Sequence, residues 1–234
     1  MIAIICAMTE ERDAILASMK YYKIIKGKKL LYHGHELDNH YYVGQINNKD
    51  VVITRCGVGE VYATITTVYL INKFKPDLVI NLGCAGSLSE NIHVNDVVIA
   101  DKVSYWRYDI PEKKWKRSFD NKLITFECDE RTTKLLKTTK IAKIHVGPIV
   151  SADEFIYSKS QLRIIKKYFP EALCGEMEGA SIANVCYAHG VPVTIIRSIS
   201  DETLMNNNFK QFDFNLIRVC ETAARICREI ISRY

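Results

Sequence analysis

Proline and glycine are sparse in this chain of 234 residues, 5 and 11 respectively, and neither recurs at a fixed period. Collagen-like and low-complexity architectures are thereby excluded. No apolar run approaches the ~20 residues of a membrane helix. The apolar opening MIAIICAM has no basic leader and runs into Glu10 and Glu11, so it reads as a first strand and not as a signal peptide. A strong excess of one charge is also missing: 32 Lys and Arg face 27 Asp and Glu. The densest basic stretch, Lys113, Lys114, Lys116 and Arg117 around Trp115, reads as a solvated loop and not as a nucleic-acid footprint. None of the 8 cysteines forms C-x-x-C, and the 6 histidines show no metal-ligand spacing, His33-x-His35 being the nearest approach. These features predict reduced thiols, a cytoplasmic chain, no metal, no cofactor, no nucleic-acid partner and no membrane.

Familiar phosphate and nucleophile signatures are missing too. Gly57-Val58-Gly59 lacks the Lys-Ser/Thr that completes a phosphate loop, and there is no G-x-G-x-x-G or G-x-S-x-G. A P-loop, a dinucleotide site and a hydrolase nucleophile elbow are excluded on that ground.

What remains is an ordinary globular composition, 48% hydrophobic and 25% charged, with enough apolar surface to offset chain entropy. Short apolar runs suited to buried strands fall at residues 1–6, 51–56, 78–82, 96–104, 144–150 and 192–199, with further strand-like pieces at 29–33 and 40–46. Helical patterns fall between them at about 9–20, 57–74, 131–139, 158–168, 177–189 and 212–234, with Thr9 as a candidate N-cap and Gly190 as a C-cap. In the last helix, Leu216, Val219, Cys220, Ala223, Ile226, Cys227 and Ile230 fall on one face. Strands separated by helices predict a three-layer α/β/α domain over residues 1–234, with a central mixed twisted sheet.

In such folds, ligands gather where loops leave the carboxyl ends of strands. Glu10 and Glu11 follow the first run, Gly83-Cys84-Ala85-Gly86-Ser87 the 78–82 run, Ser151-Ala152-Asp153-Glu154-Phe155 the 144–150 run, and Ser200-Asp201-Glu202 the 192–199 run. Glu176 and Glu178 stand at the start of the 177–189 helix. Each piece alone has a plain alternative: first-turn helix acids for Glu10 and Glu11, a tight turn for residues 83–87, an N-cap for Asp201. On a helix, Glu176 and Glu178 would point to different sides.

The order of the pieces is more specific. IICAMTEE, NLGCAGSL, SADEF, GEMEGASIANVC and RSISDE together resemble the 5′-methylthioadenosine/S-adenosylhomocysteine nucleosidases, over nearly the whole chain. That family lies in the purine nucleoside phosphorylase-like superfamily. The resemblance implies a nucleoside phosphorylase-like fold, a homodimer, an adenine nucleoside as substrate, and hydrolysis of the bond between adenine N9 and ribose C1′ through an oxocarbenium-like transition state. It places Glu11 as the carboxylate that activates water, with Glu10 second, and Asp201 as the acid that protonates adenine N7 and binds its amino group. Ser200 orients Asp201, and Glu178 binds the ribose hydroxyls. Met177 packs on the ribose, and Phe155 and Ile156 hold the base, Ile156 through its backbone. Met8 and Phe212 complete the pocket, Arg197 and Glu176 hold the water network, and Cys84, Ala85 and Gly86 form the glycine turn.

Two departures stand out. Cys84 replaces the family's usual Ser, a weaker hydrogen-bond partner for water. Residues 105–119 (YWRYDIPEKKWKRSF) are shorter and more basic than the family's aromatic loop, which suggests a larger or acidic 5′-substituent, such as that of S-adenosylhomocysteine or a futalosine-like nucleoside. The rival readings are a phosphate-dependent phosphorylase of the same superfamily and a nucleoside-binding sensor. A carboxylate at Glu11 repels phosphate and disfavours the first. Methionine salvage, removal of methylation by-products and menaquinone synthesis all stay open as the route served.

Overall fold

The computed structural model describes residues 1–32, 34–107, 124–203 and 208–234. In chain order the elements are β1 (Ile2–Cys6), α1 (Thr9–Leu16), β2 (Tyr22–Ile25), β3 (Leu31–Tyr32), β4 (His35–Glu36), β5 (Tyr41–Ile46), β6 (Lys49–Arg55) and α2 (Glu60–Phe74). There follow β7 (Leu78–Ser87), β8 (Val97–Tyr105), β9 (Thr125–Glu127), α3 (Glu130–Leu135) and β10 (Ile144–Ser151). The chain continues with α4 (Lys159–Tyr168), β11 (Cys174–Glu176), α5 (Gly179–His189), β12 (Val193–Glu202) and α6 (Asn208–Arg233).

The layering follows from the pleat. Successive strand side chains point to opposite faces, so a strand covered on both sides must be apolar at every position. β1 is buried throughout. Ala3 and Ile5 pack with Ala63 and Leu70 of α2 and Ala180 and Ala183 of α5. Ile2, Ile4 and Cys6 pack with Ile15 of α1 and Ala223, Ile226 and Ile230 of α6. The expected three-layer arrangement with a mixed central sheet is therefore present. Among the described residues the main sheet runs β11-β10-β8-β12-β7-β1-β6-β5-β2, with β9 beside β8. β1 is parallel to β6 and β7, and β12 is parallel to β7 but antiparallel to β8. β11 also pairs antiparallel with β7. The pairings from β7 through β12, β8, β10 and β11 thus return to β7, and that end of the sheet closes on itself.

This closure explains the largest departure from the sequence reading. Residues 83–87 were expected as a turn after a strand ending at 82, and residues 200–202 as a loop. Both are strand. β7 runs on to Ser87 because Cys174 and Gly175 pair with Ser87 and Gly86 on one side, while β12 pairs along the other. The N-cap alternative for Asp201 falls with it, since Asp201 lies within β12 opposite Gly86.

Other boundaries shift for local reasons. Met8, not Thr9, occupies the N-cap position of α1, and the Thr9 hydroxyl instead accepts a bond from Arg55 at 2.6 Å. α1 ends at Leu16 and not near residue 20. α5 begins at Gly179, with Glu176 on β11 and Glu178 at the helix entrance, so the two carboxylates are not helix neighbours. α6 begins at Asn208, ahead of the expected 212. Of its apolar face, Val219, Cys220, Ala223, Ile226, Cys227 and Ile230 are buried. Gly190 caps α5 at φ +66°, a conformation open to glycine at no steric cost. Strand β2 was not anticipated because its YKII sequence lies on an exposed edge, and the 29–33 run shrinks to β3.

All 8 cysteines are free. Among the described residues, no helix is long and apolar enough to cross a membrane. His33 and the Lys113–Arg117 cluster lie outside the described residues, as does most of the 105–119 stretch.

Candidate active site

Residues 83–86 of β7 form the floor of the site. Glu11 lies over one end. Its Oε2 accepts the backbone N–H groups of Ala7 at 2.9 Å and Met8 at 3.0 Å, and its Oε1 accepts the N–H of Cys84 at 3.1 Å and the Cys84 thiol at 3.5 Å. Position 83 has to be glycine for this to happen, because a Cβ there would stand 2.7 Å from Glu11 Oε1 and 3.3 Å from Arg197 Nη1. The Gly83 backbone is therefore the point on which Glu11 and Arg197 converge.

Asp201 lies at the other end. A Cβ on Gly86 would stand 3.0 Å from Asp201 Oδ2. The two glycines are three residue steps apart along extended chain, about 10 Å at ~3.3 Å per step. Asp201 Oδ1 accepts the Ser200 hydroxyl at 2.8 Å, and Ser200 Oγ also reaches the Ala85 carbonyl at 3.2 Å. Ser200 therefore donates to the Asp201 carboxyl. A cavity opens beside Asp201, lined by Gly86, Glu154, Phe155, Ile156, Gly175, Glu176, Met177 and Thr203.

Glu11 and Glu178 do not line that cavity. Glu178 joins it through a buried polar relay, and Glu11 through its charge interaction with Arg197. Glu178 Oε1 accepts the N–H of Gly59 at 2.8 Å, at the start of α2. Glu176 Oε2 accepts the N–H groups of Glu178 at 2.9 Å and Gly179 at 2.7 Å, together with Arg197 Nη2 at 2.5 Å. Its other oxygen accepts the Ser151 hydroxyl, which itself accepts the Ala180 N–H at 2.9 Å. Arg197 also donates to the Asn81 carbonyl at 3.3 Å and to the Asn81 side chain. Its Nε is buried with no hydrogen-bond partner among the described residues.

One guanidinium thus faces three buried carboxyl groups, Glu11, Glu176 and Glu178. Burial opposes charge on Glu11 and Glu178. It pushes the Glu11 carboxyl up against three backbone N–H groups and Arg197, which favour the anion. Glu178 rises through burial and then through repulsion from Glu176. Arg197 remains firmly protonated, since Glu176, Glu178 and Glu11 outweigh the cost of its burial. At the far end, burial pushes Asp201 up against the hydrogen bonds from Ser200 and Asn208.

The aromatic side of the cavity carries Phe155, edge-on to Phe209 at 5.8 Å and to Phe212 at 6.1 Å. Phe212 is beside Phe155 but is not among the described residues that line the cavity, and Phe209 was not anticipated. Ile156 packs so closely on Gly175 that a Cβ there would meet its Cδ1 at 2.2 Å. Met177 lines the cavity, whereas Met8 packs at the edge of the core and gives the site its backbone N–H. Glu10 has no part in these contacts and sits half-buried in the first turn of α1.

Sequence reasoning missed Thr203 and Asn208, and it singled out the segments that hold Asn81, Ser151 and Glu154 without giving those residues a role. Asn81 left a trace, a polar residue inside the apolar run LVINL. Asn208 left none. Among the described residues, no group of His, Cys, Asp and Glu is arranged to hold a metal ion.

A mixed sheet covered by helices on both faces, with buried carboxyls at the carboxyl ends of β1, β11 and β12, defines a class of nucleoside-processing enzymes. The family model described as Phosphorylase superfamily matches residues 1–232. Within it, the chain belongs to the 5′-methylthioadenosine/S-adenosylhomocysteine nucleosidases: it is 40% identical over 171 residues to the nucleosidase of that name from Staphylococcus aureus, covering 69% of this chain and 72% of the relative. The crystal structure of the nucleosidase from Neisseria meningitidis in complex with methylthio-immucillin-A superposes with a TM-score of 0.87 at 28% identity, covering 100% of this chain and 99% of that one. Futalosine hydrolase of Helicobacter pylori also matches, with a TM-score of 0.84 at 28% identity over 100% of this chain and 97% of that one.

Proposed function

We propose that this enzyme hydrolyses the N-glycosidic bond of 5′-substituted adenosines, 5′-methylthioadenosine and S-adenosylhomocysteine foremost and 5′-deoxyadenosine as a further candidate, releasing adenine and the ribose derivative. The observation that carries the reading is the pair of buried carboxyls at the two ends of the Gly83–Gly86 strip, Glu11 and Asp201, each pushed above the ordinary carboxylate range by burial. Dissociative cleavage of a glycoside needs an acid at the leaving group and a base for water on the opposite face of the sugar. Asp201 takes the first role, giving its proton to adenine N7 so that the base leaves neutral. Glu11 takes the second, accepting a proton from water as it adds to C1′.

Glu178 holds the ribose hydroxyls, and in its ionised form it stabilises the cation growing at C1′. Met177 packs on the sugar, while Phe155 and the Ile156 backbone hold the base. Glu176 and Arg197 fix the water network.

Hydrolysis is favoured over phosphorolysis by the same Glu11. The N–H groups of Ala7, Met8 and Cys84 all point at its carboxylate. An incoming phosphate would find those donors taken and a negative charge in its place. On this reading the chain works in the cytoplasm as a homodimer and its reaction serves methionine salvage or a related nucleoside breakdown.

Product analysis tests the proposal. Adenine should appear from 5′-methylthioadenosine and S-adenosylhomocysteine without added phosphate. Asp201→Asn and Glu11→Gln should each lose at least about 10²-fold in kcat, the usual scale of acid–base catalysis. Strict dependence on phosphate, or preference for a 6-oxopurine nucleoside, would replace this reading with the phosphorylase or the futalosine hydrolase one.

A further inference from the structure

Asn208, the first residue of α6, is buried at the base end of the cavity. Its Nδ2 donates to Asp201 Oδ2 at 2.8 Å and to the Ile156 carbonyl at 2.9 Å. A carbonyl only accepts, so the NH2 end of the amide, not its oxygen, faces this pair. One nitrogen with two N–H bonds is therefore clasped between a carboxyl oxygen and a backbone carbonyl. On a purine, the exocyclic 6-amino group of adenine is the group with the same donor pattern.

We propose that Asn208 is an internal competitor for the base subsite, its amide nitrogen standing where the 6-amino group of adenine binds. The inference rests on the adenine reading above and adds to it a residue that sets affinity. Adenine enters only when the Asn208 side chain swings away, so its apparent affinity is reduced by the fraction of molecules in which the place is free. After the glycosidic bond breaks, the same amide can return to Asp201 and the Ile156 carbonyl as adenine leaves. The two acceptors thus face a donor both in the empty site and in the filled one, which spares two buried oxygens the cost of an unmade bond.

Occupation by Asn208 also bears on the acid. Its hydrogen bond favours the ionised form of Asp201.

The test compares two bases. Adenine must displace the amide, whereas unsubstituted purine has no group at C6 and can bind with Asn208 in place. Binding of each is measured by calorimetry for the wild type and for Asn208→Ala, with a melting curve to show that the variant is folded. Adenine should bind at least about fivefold tighter to the variant, the scale of one hydrogen bond, while purine gains nothing. Asn208→Ser, whose short hydroxyl cannot span both acceptors, should show the same split and serves if the alanine variant does not fold. Equal or weaker adenine binding, or equal tightening for both bases, overturns the proposal. Failure of wild type and variant alike to bind adenine overturns the nucleosidase reading, and this inference with it.

Discussion

Arg197 and Glu176 meet at 2.5 Å with their side chains 1% and 2% exposed. Arg197 lies on β12 and Glu176 on β11, two strands that do not pair with each other but both pair with β7. The ion pair therefore sits inside the closed end of the sheet, behind the cavity. A buried pair of this kind gives little net stability over an apolar substitute, but removing one partner strands the other. Arg197→Met should destabilise the fold by about 3–5 kcal/mol, measured by denaturant titration. A double variant with Glu176→Gln should recover part of that loss. A single-variant cost below about 1 kcal/mol would mean that the pair behaves as if solvated.

The rate should depend on pH through the two raised carboxyls. Protonation of Glu11 removes the base and gives the acidic limb. Loss of the Asp201 proton removes the acid and gives the alkaline limb. Since both groups are raised, both limbs of kcat/KM should lie above the ~4 of a free carboxyl. Asn208→Ala removes a bond that favours the Asp201 anion, so the alkaline limb of kcat/KM, which reports the free enzyme, should move further up. An unchanged limb would separate Asp201 from the observed ionisation.

Glu178 links the site to stability. Its folded-state affinity for a proton is raised by burial and by Glu176, while the unfolded carboxyl titrates near ~4.3. The native state therefore binds the proton more tightly, and its contribution to stability is lost as pH rises through the folded pKa. Glu178→Gln keeps an acceptor for the Gly59 N–H and removes the titration. It should raise Tm relative to the wild type at pH 8, with a smaller gain at pH 5, and lower activity at both. A Tm gain that does not grow with pH would show that Glu178 is not the group responsible.

Gly83→Ala tests the crossing point of the site. The new methyl carbon would stand 2.7 Å from Glu11 Oε1, closer than atoms tolerate. Three backbone N–H groups hold that carboxylate, so its displacement should cost at least about tenfold in kcat, the effect of misplacing a catalytic group, with KM little changed. Full activity would show that Glu11 works from another position.

Much of this protein was determined by its sequence alone. Apolar runs such as residues 1–6 and 78–82 specified strands covered on both faces, because period two with both sets apolar leaves no solvent side. The spacing of Val219, Ala223, Ile226 and Ile230 specified one face of α6. The motif order specified the family and pointed to Glu11, Glu176, Glu178, Arg197 and Asp201. The tertiary structure decided what no local pattern encodes. Residues 83–87 became strand because Cys174 and Gly175 arrive from β11 to pair with them, a partner about ninety residues away that local turn chemistry cannot announce. Asn208 reached Asp201 and the Ile156 carbonyl because α6 starts one turn earlier than its apolar periodicity implied. A single polar side chain at a helix entrance leaves no periodic signal, so its two partners are known only once Asp201 and Ile156 have been brought together in space.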